Sequence, residues 1–179
     1  MDDGLEININ GTPVTAAEVE AWEVRRAQAV LAKLKAPSDR GAGDLASLRA
    51  ELLQVKEQLG RQALRDSLRR ELFVSELSTK AALLISGKGR KQCVTEIRVA
   101  ECSARHVADA VDDLMRNDTT ANRHNNLLAC PDHYLLEPRG DILEVIETTG
   151  GSPLAARFFM RFEDESGLVA PRDPAYAFQ

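Results

Sequence analysis

Two histidines and a glutamate lie close together in the chain and have the side chains best suited to acid–base chemistry. They are His124, His133 and Glu137, and the last two are four residues apart. The following Pro138 and the apolar run Tyr134–Leu136 favour a strand here, and residues four apart on a strand share a face. An imidazole beside a carboxylate could act as a general base or bind a metal. We therefore predict His133, Glu137 and His124 as catalytic residues of one pocket.

A polar segment, residues 117–126, precedes this pair and is dense in amides and hydroxyls. We predict it as a loop that carries His124 toward the strand, because loops placed by a rigid sheet often hold ligand contacts. The same side chains have a structural explanation, since Asn, Asp and Thr bond their own backbone in turns. Ligand contacts are expected from Asn125, Asn126, Tyr134 and Arg157.

Neither a metal nor a cofactor is predicted. The chain has no Walker loop, Rossmann glycine fingerprint, nucleophile elbow or HExxH motif. Its three cysteines, Cys93, Cys102 and Cys130, lack paired CxxC spacing and are expected to be reduced structural thiols. These absences exclude several large enzyme classes without selecting another.

Charge and composition limit the partners. The formal net charge is -5, so wholesale binding to nucleic acid is not expected, because phosphate affinity depends on clustered Lys and Arg. Arg61, Arg65 and Arg69 share a helical face, but nearby acids favour a solvated surface. No run of about 20 apolar residues suggests a membrane span, and no secretory leader is recognised. We expect a soluble, cytoplasmic protein with no membrane partner.

The N-terminal part contains a short strand and a capped helix. Leu5, Ile7 and Ile9 alternate with polar residues, which predicts a strand, and Asn10-Gly11 predicts a turn. Thr15 and Glu18 have the spacing of a capping box at a helix start. Pro37 ends this helix, and residues 37–43 form the clearest linker.

A long helical segment follows from Asp44, a candidate N-cap. Gly60 is a weak point rather than a certain end, and leucines continue the apolar stripe to Leu84 and Ile85. Because the stripe must be buried, it packs either on the second half of the chain or on another copy. We predict a homodimer through a coiled-coil-like seam with 3-4-3-4 spacing: Leu45, Leu48, Leu52, Val55 and Leu59.

From Cys93 apolar residues recur at every second position, which predicts strands. Helices followed by strands predict an α+β fold. A strand from Cys93 and a helix from Ser103 precede strands over 132–137, 142–148 and 154–163, with an extended arm after Gly167. The expected architecture is an N-terminal helical segment, a long helix or helix pair, followed by a small domain with one helix packed on a curved antiparallel sheet. The expected divisions are 1–41, 42–86 and 87–179.

Two functions of different class follow from this organisation. The first is a small-molecule pocket in the C-terminal domain, for binding or acid–base catalysis, in which His124, His133 and Glu137 converge. The second is a non-catalytic interaction or scaffold protein that assembles as a homo-oligomer through its N-terminal helices. The sequence leaves open whether the protein is an enzyme.

Overall fold

A computed structural model of the protein describes residues 5–35, 44–87, 95–99, 102–149 and 152–162. The α+β class is confirmed: helices pack on a three-stranded antiparallel sheet behind a long N-terminal helix. In chain order the elements are β1 (Leu5–Ile9), β2 (Thr12–Val14), α1 (Ala16–Lys33), α2 (Leu45–Ile85), β3 (Thr95–Val99), α3 (Ala104–Arg116), α4 (Thr120–Ala129), β4 (His133–Arg139), β5 (Ile142–Glu147) and β6 (Ala156–Arg161).

The first sheet joins the N-terminal hairpin to a strand that follows α2. β1 and β2 form a hairpin whose turn residues, Asn10 and Gly11, have φ of 50° and 79°, as a two-residue hairpin turn requires. β3 pairs antiparallel with β1, placing Ile7 opposite Ile97. β3 therefore belongs to the sheet β2-β1-β3 rather than to the C-terminal sheet β4-β5-β6. The division into three segments stays a prediction.

Helix α1 covers the leucine seam of α2. The predicted capping box at Thr15 and Glu18 starts α1. Its Ala27, Val30 and Leu31 are buried against a core that also contains the seam residues Leu48, Leu52 and Val55. Because α1 is amphipathic and closely precedes α2 in the sequence, it buries these three seam residues within one chain. Pairing of the seam with a second copy stays a prediction.

Gly60 divides α2 into two halves. Its φ of 70° and ψ of 168° are non-helical and belong to a region that only glycine adopts at low cost. The predicted weak point is thus a real break. The second half then buries Leu64 and Leu68. Asp44 caps the start of α2 as predicted, accepting from the Ser47 amide at 2.8 Å.

The segment predicted as a polar loop is mostly helix α4, so that prediction is wrong. Thr119 is its N-cap and accepts from the Asn122 amide at 3.0 Å, while Asn126 and Leu127 are buried. Capping and burial outweigh the weak helix propensity of asparagine. The domain therefore has two helices on its sheet where the sequence predicted one.

The sheet β4-β5-β6 separates two apolar clusters. Tyr134, Leu135 and Ile146 pack with α1 and α2 on one side. The other side packs against Met115 of α3 and contains Leu136, Leu143 and Val145. Gly140, with φ of 67°, makes the predicted reversal between β4 and β5.

Several predictions fall on residues that the structure does not describe: the linker at 37–43, Cys93 and the arm after Gly167. Among the described helices, none combines the length and the apolar character that crossing a membrane requires.

We expect Gly60→Ala to lower the free energy of unfolding by about 1–3 kcal/mol, because a side chain at this φ and ψ is strained. Urea denaturation measures the change. The matched control is Gln58→Ala, an exposed position two residues earlier in the same helix, where a change within about 0.5 kcal/mol is expected. An unchanged or more stable Gly60→Ala protein would contradict the requirement for a break.

Candidate functional site

A β-bulge places His133 and Glu137 on opposite faces of the sheet. The register between β4 and β5 shifts between His133 and Leu135: His133 lies opposite Glu147, whereas Glu137 lies opposite Glu144. Residues directly opposite each other share a face, and neighbouring residues of β5 alternate. The predicted convergence of the two residues is therefore wrong, because the extra residue of the bulge reverses the alternation between them.

Glu137 lies in a cluster of arginines. Arg139 Nε donates to its carboxylate at 2.9 Å and Arg61 Nη1 at 3.1 Å, and Arg65 also donates to it. Burial raises the pKa of Glu137, but the hydrogen bonds from Arg139 and Arg65 outweigh burial, so the pKa lies below its usual value. A carboxylate held ionised in this way is a weak base. Its geometry fits a structural role.

The same arginines compensate the buried Glu144. Arg65 Nη2 donates to the Glu144 carboxylate at 2.8 Å, and Arg139 Nη2 lies 2.9 Å from it. Arg61 also pairs with Asp118, which precedes α4. This cluster connects the second half of α2 to β4, β5 and the start of α4. We call it the arginine cluster: Arg61, Arg65, Arg139, Asp118, Glu137 and Glu144.

His133 lines a separate cavity of about 380 Å³. Its Nδ1 lies 2.8 Å from the Asn126 carbonyl, and its Nε2 lies 3.3 Å from the Glu147 carboxylate. Because a carbonyl only accepts, Nδ1 is the donor in that contact. Both ring nitrogens are engaged. Cys130 lines the same cavity. Burial raises the pKa of its thiol, so Cys130 is not an activated nucleophile.

The other predicted site residues are dispersed. His124 contacts the Glu57 carboxylate on α2. Asn125 is exposed on α4, and Arg157 is exposed on β6 with its guanidinium 5.9 Å from the Phe159 ring centre. None of these three lines the cavity described next.

That cavity, of about 260 Å³, lies where the break in α2 meets α4 and β4. Two of the predicted ligand residues, Asn126 and Tyr134, line it. Its wall is apolar on one part and cationic on another. The remaining lining residues are Lys56, Glu57, Gly60, Arg61, Leu64, Arg123, Leu127, Leu135 and Leu136.

Lys56 is the unusual member of this wall, because only 1% of its surface is exposed. Its Nζ donates to the carbonyls of Pro131 at 2.9 Å and His133 at 2.6 Å. Within the described residues it forms no ion pair with a carboxylate. Burial lowers the pKa of Lys56 from 10.5 to about 8. An ammonium group has three protons, and the two carbonyls accept only two.

In the part of the chain that the structure describes, the other charged residues that line the cavity, unlike Lys56, lie near side chains of opposite charge. Arg61 is held by Asp118 and Glu137, and Glu57 contacts His124. Arg123 is partly exposed and lies 4.0 Å from the Asp118 carboxylate. Lys56 and Arg123 are thus the cations least compensated by carboxylates. A ligand that suits this wall combines a negative group with a small apolar body.

Sequence reasoning missed Lys56, although its position contains a signal. Lys56 lies four residues after Leu52 and three before Leu59, so it interrupts the apolar face of α2. A lysine on a buried helical face needs acceptors or a ligand. The residues that supply its acceptors are 75 and 77 positions away in the sequence.

Comparison with known proteins adds no relative. No family model matches the chain, and neither a curated protein nor a solved structure is significantly similar to it.

We expect Arg65→Met to lower the free energy of unfolding by about 3 kcal/mol, since it leaves the buried Glu144 carboxylate with less compensation. Urea denaturation of Arg69→Met, an exposed arginine one turn later, provides the control. The double variant Arg65→Met/Glu144→Leu should recover much of the loss. Equal stability of Arg65→Met and Arg69→Met would show that the arginine cluster contributes nothing measurable.

We expect Lys56→Met to change how stability depends on pH. The folded-state pKa is below the unfolded one, so between about pH 8 and 10.5 the unfolded chain holds more protons and the free energy of unfolding rises with pH. Relative to Lys56→Met, the native protein should therefore gain about 2–3 kcal/mol between pH 7 and 10. Lys35→Met, at an exposed lysine just after α1, is the control. A pH-independent difference between Lys56→Met and the native protein would refute the lowered pKa.

Proposed function

We propose that the protein binds a small organic anion with an apolar body in the cavity between α2, α4 and β4. One observation carries this proposal: the buried Lys56 ammonium lines the cavity, has two carbonyl acceptors and lacks a carboxylate partner among the described residues. Burying a cation without a counter-charge is costly, and an anionic ligand would offset that cost.

The other residues that line the cavity suit the apolar body of the proposed ligand. Leu64, Leu127 and Leu136 offer apolar contacts, and the Asn126 side chain is already tied to the Leu114 carbonyl at 3.0 Å. The volume is below the range of about 300–1,000 Å³ typical of drug-sized ligands. A short aliphatic or aromatic carboxylate fits this size and polarity better than a nucleotide does.

Binding is favoured over acid–base catalysis. A general base must be within reach of the proton that it removes. Glu137 is held by three arginines, and His133 lies on the opposite face of β4 with both ring nitrogens engaged. The proposal therefore assigns recognition to the cavity and no reaction. A cytoplasmic location, without nucleic acid or membrane partners, remains part of it.

We expect isothermal titration calorimetry to detect hexanoate at pH 7, because its carboxylate can pair with Lys56 while its chain meets the leucines. Hexanamide and hexylamine, of nearly equal size, should bind at least tenfold more weakly. Binding should weaken more than tenfold at pH 9.5, where an amine with a pKa of about 8 is mostly neutral.

Variants separate the cavity from the rest of the surface. Lys56→Met should abolish detectable hexanoate binding, while Lys80→Met, at an exposed lysine in the same helix, should bind as the native protein does. Equal binding of hexanoate and hexanamide, or unchanged binding by Lys56→Met, would refute the proposed anion site.

A further inference from the structure

The far end of α2 carries an apolar stripe away from the core. Leu68 is buried, but Phe73 is 68% exposed, Leu77 60% and Leu84 88%. At 100° per residue, Phe73, Leu77, Ala81 and Leu84 fall within an arc of about 80°. Val74 and Ile85 extend one edge. We call these six residues the α2 stripe.

We propose that a second copy of this chain covers the α2 stripe, with the two helices antiparallel about a twofold axis beside Ser78. In this register Leu77 lies between the partner's Leu77 and Ala81. Phe73 enters the space between the partner's Ala81 and Leu84. The large side chains of Leu77 and Phe73 thus occupy the spaces beside the small side chain of the partner's Ala81, as in knobs-into-holes packing.

Charges on the flank of the stripe are complementary in the same register. Glu76 and Lys80 form an i,i+4 pair at 2.7 Å within one helix. About the axis beside Ser78, Glu76 lies level with the partner's Lys80, and the reciprocal pair repeats on the other side of the axis. A twofold interface requires this self-complementarity.

Arg70 gives a further reason for the antiparallel direction. It lies in line with the stripe, three residues before Phe73, and is exposed. The last turn of α2 contains no basic residue, although cations stabilise helix C-termini. In the antiparallel pair Arg70 lies at the level of the partner's Ser86, the C-cap of α2. A parallel pair would instead place Arg70 beside the partner's Arg70.

The interface differs from the one that the sequence predicted. The seam residues Leu48, Leu52 and Val55 pack with α1 within the chain, whereas the α2 stripe begins after the core residues Leu64 and Leu68. It is independent of the cavity around Lys56. A failure to detect hexanoate binding would therefore not affect the proposed dimer interface.

Light scattering coupled to size-exclusion chromatography tests the proposal with the full chain at tens of micromolar. The native protein should be a dimer, and Leu77→Glu should be a monomer with an unchanged circular dichroism spectrum and a melting temperature that no longer rises with protein concentration. Leu83→Glu is the matched control: Leu83 is 69% exposed but points away from the stripe, so this variant should remain dimeric. A monomeric native protein, or equal behaviour of the two variants, would overturn the proposal.

Cysteine cross-linking tests the direction. Under oxidation, Leu77→Cys should form a covalent dimer because the two copies of this position are adjacent across the axis. Leu84→Cys should not, because its copies lie about 18 Å apart along the helices at 1.5 Å per residue. Efficient cross-linking of Leu84→Cys would indicate a parallel pair and refute the antiparallel register.

Charge reversal tests the register independently. Lys80→Glu places a carboxylate opposite the partner's Glu76 and should raise the dimer dissociation constant about tenfold. Adding Glu76→Lys restores opposite charges across the axis and should restore the constant. A double variant that dissociates as readily as Lys80→Glu would contradict the reciprocal pairing.

Discussion

The packing of α2 on the sheet β4-β5-β6 depends on cationic side chains that cross the interface and find oxygen acceptors on the other side. Lys56 reaches the carbonyls of Pro131 and His133, and Arg65 reaches the carboxylate of the buried Glu144. A buried charge without its partner is costly, so these contacts restrict how the helix can be placed. The apolar clusters on either side of the sheet add stability but would tolerate more than one arrangement.

The break at Gly60 and the bulge at the start of β4 are the backbone features that make these contacts compatible. Lys56 precedes the break and Arg65 follows it, so each half of α2 contributes a cation at its own position along β4. The bulge lies between His133 and Leu135, beside the carbonyl that accepts from Lys56. One consequence is a cavity at the break. Another is that two residues with the right chemistry for catalysis lie on opposite faces.

α2 therefore has three successive surfaces. Leu48 and Leu52 meet α1, the segment around Lys56 to Leu68 meets the sheet and the cavity, and the last turns carry the α2 stripe. The proposed anion site and the proposed dimer interface occupy the second and third surfaces. Since the two do not overlap in sequence, ligand binding and assembly can be tested and altered separately.

The sequence by itself determined the local structure: the capping box at Thr15, the hairpin turn at Asn10-Gly11, the N-cap at Asp44 and the change from helical to strand periodicity. Each depends on residues within one turn or one strand. It failed where distant residues decide. Pairing of β3 with β1, coverage of the leucine seam by α1 and the bulge at His133 are long-range outcomes. Only the tertiary structure decided where the candidate site lies. The carbonyls that accept from Lys56 are distant in sequence, and the spacing of apolar residues does not predict such contacts.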